Sequence, residues 1–463
     1  MTIFIRNFSV AKNELRISNL SNLSNLNKLK ERFITQSTIQ RSQEYYLVKS
    51  PKGENYRFHL AKSKHLVGLR TTRGTRKFNE DRYQTLVLEL NGKENTHTEE
   101  QADLDNEGYG TTFYGEGKEG QICYFAVFDG HGGPQCADYL TANLHKRIED
   151  VRASDADKIV SQFRSIGGFR PTVLAPLLSP EMIQPNIKNR TSDTNDGSTT
   201  NGLAASRKYS SVILSSPSSP SLPSSPTLMN TSTTELTLDQ RLTIAFLKID
   251  LELLNSIPQS VGSTASAALI KTLDGCPFWS SKELKITVAH VGDTRVLLCD
   301  VPSGNAISLT FDHHPSAITE HDRLRKSGGY IITDSFGAEM FLGKLAITRS
   351  MGDSKMKKYG ISAEPEIMMN TIKGDSVAFM VLVSDGVTSV LSNQEIVDCI
   401  KNYSDPTLGA SKLIDLADEL GSEDNITAMV VRLPGWGAPM PDHTKDLRKY
   451  RLDNDAPSIK RRK

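Results

Sequence analysis

The chain has 463 residues, with 55 Lys and Arg against 54 Asp and Glu, so its formal net charge is +1. A general nucleic-acid or membrane-surface binder normally carries a clear basic excess, and this balance argues against both. The hydrophobic fraction of 37% is low for a wholly folded chain of this size, which indicates that part of the length is unfolded.

Residues 1–40 are basic and rich in serine, with six Lys and Arg, five Ser and two Glu. Arg6, Lys12 and Arg16 are spaced among apolar residues as in a basic amphipathic helix. This composition is typical of a mitochondrial presequence. The alternative is that residues 1–40 are simply disordered. In that case the protein would be located in the cytoplasm or the nucleus.

Apolar runs predict the folded elements. The longest are Ile122–Phe128 and Val377–Val383, each of seven residues, whereas a helix needs about 20 to cross a bilayer. No integral membrane segment is therefore expected. These runs, with Ile426–Arg432, predict buried strands, while a helix after Pro134 and one from Leu238 favour an α+β fold.

Two other stretches predict disorder. Serine and threonine fill 21 of the 44 positions in 191–234, which contain four prolines and one aromatic residue. Such a segment cannot bury enough apolar surface to offset its ordering entropy. Residues 436–463 are charged and end in a Lys-Arg-Arg-Lys cluster, which predicts a disordered tail and could also serve as a nuclear signal. The three Ser-Pro pairs of 191–234 would allow proline-directed phosphorylation, but a tolerated surface insertion is the favoured interpretation.

Three of the apolar strands end beside an aspartate and a glycine, and these aspartates are Asp129, Asp293 and Asp385. A carboxylate at the mouth of a buried strand is held rigidly, as a metal site requires. Asp-Gly is also the commonest hairpin turn, but its repetition after such apolar strands favours a site. Glu80-Asp81 and Glu423-Asp424 also precede strands, and each alone indicates a turn or cap.

One motif is far more specific. Phe125 to Gly133 reads FAVFDGHGG and resembles the signature of the metal-dependent, type 2C protein serine/threonine phosphatases. Other motifs of that family follow in its order over roughly residues 60–432. They are Gly74-Thr75-Arg76 with Glu80-Asp81, Gly262 to Ala265 as a core strand, Val291 to Arg295 as a hairpin motif, Gly352-Asp353, Ser384-Asp385-Gly386 and Asp424-Asn425.

The resemblance implies an αββα sandwich, in which two antiparallel sheets pack face to face with helices outside both. The phosphatase domain would cover residues 41–435, interrupted by 191–234. With the basic N-terminus, the chain is interpreted as a fungal, mitochondrial-type member of the family. We expect a monomer that acts on phosphoprotein substrates and binds no nucleic acid.

The resemblance also implies two Mg²⁺ or Mn²⁺ ions per active site. Asp129 would bridge them, Asp385 and Asp424 would complete one shell, and Glu80 with the Gly130 carbonyl would complete the other. Asp81 would orient water at the metals. Independently of the resemblance, a ligand set made only of oxygen atoms suits Mg²⁺ and Mn²⁺.

Two such cations activate water for direct attack on phosphoserine or phosphothreonine, with no phosphoenzyme. Arg76 would bind the phosphate oxygens with its planar fork. His131 would protonate the departing alkoxide.

The chain departs from the family at one position. Many members carry a second aspartate four residues after the one matched by Asp385, and it helps to hold a third cation. Here that position is Ser389, although Asp293, the other expected contributor, is present. We therefore predict a two-metal core with a weak or absent third site.

Two rival interpretations of the sequence exist. Asp312-His313-His314 resembles the motif of the DHH phosphoesterases, but no other motif of that family precedes it. The second rival is a catalytically dead docking module, against which the intact acids, Arg76 and His131 argue.

Overall fold

The structure is a computed structural model that describes residues 44–49, 55–90, 116–117, 121–167, 173–179, 235–327, 329–333, 337 and 339–454. Residues 1–40 and 191–234, with the presequence and insertion predicted there, lie outside the described residues. The strands are β1 Tyr45–Lys49, β2 Asn55–His59, β3 Val67–Thr72, β4 Arg82–Glu89, β5 Glu116–Gly117, β6 Gln121–Phe128, β7 Gly130–His131, β8 Gly262–Ser263, β9 Ala265–Thr272, β10 Glu283–Val291, β11 Arg295–Asp300, β12 Ala306–Ser308, β13 Ile331–Thr333, β14 Glu339–Phe341, β15 Met351–Gly352, β16 Glu366–Lys373, β17 Val377–Val383 and β18 Ile426–Arg432.

The α-helices of the described residues vary in length from four to 16 residues. They are α1 Gln135–Asp150, α2 Asp155–Ile166, α3 Leu238–Leu253, α4 Ile318–Lys326, α5 Ser354–Lys357, α6 Asp385–Thr388, α7 Asn393–Lys401, α8 Pro406–Glu419 and α9 Lys445–Asn454. Capping boxes start α3 at Thr237 and α7 at Ser392, and the side chain of Asp405 caps α8. Within the described ranges, no helix is both long and apolar enough to span a bilayer.

Two five-stranded antiparallel sheets form the centre of the molecule. The first has the order β16-β10-β9-β6-β4 and the second the order β12-β11-β17-β18-β3. Side chains of β6 alternate between two environments, as the period of a strand requires. Phe125 and Val127 face the second sheet, whereas Tyr124 and Phe128 face helices. Because both faces are covered, the strand reads as a continuous apolar run.

Helices cover the outer face of each sheet. Leu140 of α1 and Phe246 of α3 pack against the first sheet, and Ile396 of α7 and Leu413 of α8 pack against the second. The architecture is therefore the α+β, four-layer αββα sandwich that the sequence predicted.

The segment Val291 to Arg295 differs from its expected role as a hairpin motif. β10 belongs to the first sheet and β11 to the second, and the register pairs β10 with β9 and β16. The turn at Gly292, whose φ is +106°, therefore carries the chain from one sheet to the other. It also places Asp293 at the end of the sandwich between the sheets.

The prediction of disorder for 436–463 is wrong over 436–454. Trp436 packs edge-on against Phe379 with ring centroids 5.5 Å apart, and α9 follows at Lys445–Asn454. The segment is held by Asp398 of α7, whose Oδ2 accepts from the backbone N–H groups of His443 and Thr444 at 2.9 and 2.8 Å. We call this contact between α7 and residues 436–454 the tail clamp. Residues 455–463 lie outside the described residues.

Candidate active site

Asp129 follows β6 at the end of the first sheet. Its backbone is fixed by β8 and β9, because its carbonyl accepts from Thr264 N–H at 2.8 Å and from Ser263 Oγ at 3.0 Å. Burial raises the pKa of Asp129 well above its usual range, and the nearby charges of Asp385, Asp81 and Asp293 raise it further. The carboxylate thus lies among other acids.

Asp385 reaches the same place from the second sheet. It is the first residue of α6, directly after β17 and Ser384, and its backbone N–H donates to Asp129 Oδ2 at 3.4 Å. Burial and the charge of Asp293 raise the pKa of Asp385 to about 7. The two sheets therefore bring these carboxylates together although 256 positions separate them in sequence.

Asp81 is buried where β4 begins. Its Oδ2 accepts from Oγ of Ser384, directly after β17, at 2.9 Å and from Oγ1 of Thr427, on β18, at 2.6 Å. The other oxygen, Oδ1, is buried without a hydrogen-bond partner. Burial raises the pKa of Asp81 to about 6, against the lowering effect of the two hydroxyls. One carboxylate oxygen is thus available to a ligand.

Glu80 and Gly130 lie next to each other. A Cβ built at Gly130 would lie 2.7 Å from the Glu80 carbonyl oxygen, so only glycine permits this approach. The Glu80 backbone N–H donates to Asn425 Oδ1 at 2.7 Å, which ties it to the loop before β18.

Asp424 lies in that same loop and is paired with Arg76. Arg76 Nη2 donates to Asp424 Oδ2 at 2.6 Å, and Arg76 Nε donates to the Glu423 carbonyl at 3.2 Å. Asp424 also raises the pKa values of Asp385 and Asp81 through its charge. The structure therefore brings Asp424 to the other acids and places Arg76 beside them.

His131 lies two residues after Asp129, in β7. Its Nε2 is 2.8 Å from Oδ2 of Asp353, a residue to which sequence reasoning gave no role. Burial lowers the pKa of His131, but the hydrogen bond and charge of Asp353 outweigh it, so the net shift is upward. The only available sequence signal was that Asp353 belongs to the matched Gly352-Asp353 motif.

Asp293 and Ser389 occupy the positions expected for a third cation. Asp293 Oδ2 lies 3.6 Å from His314 Nε2, and its charge raises the pKa values of Asp129 and Asp385. The Ser389 hydroxyl donates to the Gly386 carbonyl at 3.3 Å, within its own turn. Only one of the two positions carries a carboxylate.

These five carboxylates, which we call the acid cluster, are Asp81, Asp129, Asp293, Asp385 and Asp424. Burial first, and then the charges of neighbouring acids, raise the pKa values of three of them, Asp81, Asp129 and Asp385. Their oxygens and the unpartnered Asp81 Oδ1 fit hard divalent cations. Among the described residues, no three His, Cys, Asp or Glu side chains are arranged as a group that could hold a metal ion. The fit is thus one of donor chemistry and charge.

The Asp312-His313-His314 stretch is dispersed by the fold. Asp312 pairs with Arg295. His313 is buried, stacks on His290 with centroids 4.8 Å apart, and accepts from Gly292 N–H through Nδ1 at 3.0 Å. These contacts explain Asp312 and His313 as structural residues and give no support to the DHH interpretation.

The chain is similar to several known proteins. A family model described as Protein phosphatase 2C matches residues 218–426. Protein phosphatase 2C homolog 4 of Schizosaccharomyces pombe is 34% identical over 333 residues, which cover 70% of this chain and 75% of that protein. The mitochondrial protein phosphatase 1K of Xenopus laevis is 38% identical over 193 residues, or 42% of this chain and 47% of that protein. A solved serine-threonine phosphatase 2C from Toxoplasma gondii has a TM-score of 0.47 at 18% identity, covering 79% of this chain and 94% of that one.

Proposed function

Because the chain belongs to the protein phosphatase 2C family, and is thereby a metal-dependent protein serine/threonine phosphatase, we propose that the acid cluster is its active site. The observation that carries this proposal is the meeting of Asp129 from the first sheet with Asp385 from the second, both with raised pKa values. Such perturbed groups in one place are typical of functional sites.

We propose that these acids bind two Mg²⁺ or Mn²⁺ ions. Asp129, on which the charges of Asp385, Asp81 and Asp293 act, would serve both ions. Asp385 and Asp424 would serve one ion, and Glu80 with the Gly130 carbonyl would serve the other. When bound, the two ions supply an activated water and neutralise the phosphoryl oxygens.

Asp81 has a different part in this proposal. Ser384 and Thr427 fix one of its oxygens and leave Oδ1 without a partner. A carboxylate held in this way can orient the attacking water through its second oxygen.

Arg76 would bind the phosphate group of the substrate. Its side chain is 59% exposed and lies beside Asp424, so a phosphoryl group can reach the guanidinium. The planar fork then donates to two phosphate oxygens.

His131 would give its proton to the departing serine or threonine oxygen. Without that proton the alkoxide is a poor leaving group, and a positioned general acid contributes about 10²–10⁴-fold. The bond to Asp353 supports this role because it favours the protonated ring.

The test is phosphopeptide hydrolysis with Mn²⁺ or Mg²⁺, with EDTA as the metal-free control. Asp129→Asn preserves shape but removes charge, so we expect turnover to fall by about 10³-fold or more. Asp312→Asn is the matched control, because Asp312 belongs to the rival DHH stretch and pairs with Arg295. Equal losses in the two variants, or full activity in EDTA, would overturn the proposal.

We further propose a mitochondrial location for this chain. The support is the basic, serine-rich composition of residues 1–40 and the relative that is named mitochondrial. Fluorescent fusions with and without residues 1–40 test it, and a cytoplasmic or nuclear signal from the longer fusion would contradict it.

The domain organisation that we propose has a phosphatase domain that begins at residue 41, with 191–234 as an insertion and with residues 436–454 packed on it through the tail clamp, in a monomer. Limited proteolysis should cut first within 191–234 and leave two fragments that stay associated and active. Light scattering during gel filtration would reveal a dimer if one forms.

A further inference from the structure

His131 and Asp353 are brought together by a small three-stranded sheet beside the site. Its strand order is β15-β8-β7, so Gly262 of β8 pairs with His131 on one side and with Gly352 on the other. A Cβ built at Gly262 would lie 2.5 Å from His131 Nε2 and 2.3 Å from Asp353 Oδ2. The contact between the two side chains therefore passes directly over a glycine.

Asp353 is itself held from several directions. It has a left-handed backbone with φ at +47°, and its N–H donates to the Val261 carbonyl at 3.0 Å. Ser350 Oγ donates to the same Oδ2 that faces His131, at 2.6 Å. Its side chain is almost fully buried, so this position is fixed by the protein and not by solvent.

A buried ion pair lies behind these contacts. Lys357 Nζ is 2.8 Å from Asp250 Oδ2 of α3, and the side chains are 2% and 0% exposed. Lys357 also donates to the Ser350 carbonyl at 2.7 Å, and Asp250 Oδ1 accepts from Gly352 N–H at 2.7 Å. The pair thus clamps α3 to the chain on both sides of Asp353.

We propose that Asp353 and the Asp250–Lys357 pair are positioning residues for His131, a proposal that rests on the proposed role of His131 as proton donor. With Nε2–H held by Asp353, Nδ1–H is the proton given to the leaving oxygen. As water adds to phosphorus and the P–O bond to serine breaks, that proton completes the serine hydroxyl. His131 then regains a proton from solvent.

The test compares two substrates that share the phosphate site but differ in their leaving group. A phosphoserine peptide must have its leaving oxygen protonated, whereas p-nitrophenyl phosphate releases a stable anion. For Asp353→Asn with saturating Mn²⁺, we expect kcat on the peptide to fall about 10²-fold and kcat on p-nitrophenyl phosphate less than about fivefold. KM should change little for either substrate.

The buried pair is tested with a matched control. The double variant Asp250→Asn, Lys357→Met should show the same preferential loss on the peptide. Asp398→Asn, Lys401→Met removes an equally buried pair in the tail clamp and should lose activity equally on both substrates, if at all. Equal losses on both substrates in Asp353→Asn and the Asp250–Lys357 variant would overturn the proposal.

If either variant fails to fold, Ser350→Ala decides, because it removes one donor to Asp353 without disturbing the ion pair. It should shift the peptide to p-nitrophenyl phosphate kcat ratio about fivefold, and an unchanged ratio would count against positioning. His131→Ala separates the two proposals. If His131→Ala leaves the ratio unchanged while Asp129→Asn abolishes hydrolysis, the proton-donor role fails and the metal site stands.

Discussion

The acid cluster and the tail clamp both contain buried aspartates, but these differ in their partners. In the tail clamp, Asp398 accepts from Thr444 Oγ1 and Gln394 Nε2 and pairs with Lys401. In the acid cluster, the carboxylates of Asp129 and Asp385 face each other, and their pKa values rise. A buried charge that is fully paired holds structure together, whereas one left among like charges is available to a ligand.

The largest expected effect on stability concerns the tail clamp. Asp398→Asn leaves Lys401 buried without its charged partner, and removing one member of such a pair costs about 3–5 kcal/mol. In the metal-free chain, Asp129→Asn should leave the free energy of unfolding unchanged or increase it, because the substitution removes repulsion between Asp129 and the neighbouring acids. Urea unfolding in EDTA measures both, and destabilisation of similar size in the two variants would contradict the distinction between the regions.

Metal binding should act on only one of the two regions. Mn²⁺ at about 100 times its dissociation constant should stabilise the folded chain by about 2.7 kcal/mol for each site. Asp385→Asn should lose most of the gain from the one site that Asp385 serves, whereas Asp398→Asn should keep the gain from both sites at a lower starting stability. Thermal melts with and without Mn²⁺ check this. A full metal response in Asp385→Asn would remove Asp385 from the proposed ligands.

The α+β class was predictable from the pattern, because sheets covered on both faces require strands such as Ile122–Phe128 and Val377–Val383 to be continuously apolar, whereas the αββα arrangement was implied by the family resemblance. The mouths of those strands also located Asp129 and Asp385. By contrast, nothing local marks Asp353 as the partner of His131, since 222 positions separate them. The bond depends on strand pairing through Gly262, which composition and periodicity do not reveal.

The prediction of disorder for residues 436–454 was wrong for a related reason. Its charges resemble those of a solvated end, but Arg451 binds the nearly buried Glu395 at 2.7 Å, and Arg448 binds Asp442 at 2.8 Å. Charge composition cannot distinguish a solvated arginine from one whose partner is a buried acid on another helix. In the same way, the lysine-rich stretch around Lys357 gives no indication that Lys357 pairs with the buried Asp250.

The pH dependence of stability should have opposite signs in the two regions. The pKa of Asp81 is raised to about 6 when folded, mainly by burial, so the folded chain holds a proton that the unfolded chain releases near pH 4. Its ionisation therefore costs stability as pH rises from about 4 to 6. In EDTA, the free energy of unfolding of Asp81→Asn should increase relative to that of the wild type by about 1–3 kcal/mol between pH 4 and 7.

Asp442 in the tail is the matched control. Partial burial would raise its pKa, but Arg448 and Asn402 lower it overall. The stability that ionised Asp442 contributes is therefore present above the pKa it has in the unfolded chain. This stability is lost as the pH falls through its lower pKa in the folded chain. Asp442→Asn should lose stability relative to the wild type at neutral pH and recover it in acid. Parallel pH profiles for the two variants would contradict the comparison.

The smallest expected effect concerns Ser389, where the acid cluster has a hydroxyl in place of a carboxylate. The Ser389 side chain is exposed and donates within its own turn, so Ser389→Asp can add a carboxylate near Asp385 and Asp293 at little cost to packing. We expect this variant to bind one additional Mn²⁺ weakly, at millimolar concentration, with the two tighter sites unchanged. Isothermal titration measures the stoichiometry, and Ser389→Asn controls for side-chain size without adding charge. A third ion bound as tightly in the wild type as the first two would show that the chain does not need a second carboxylate there.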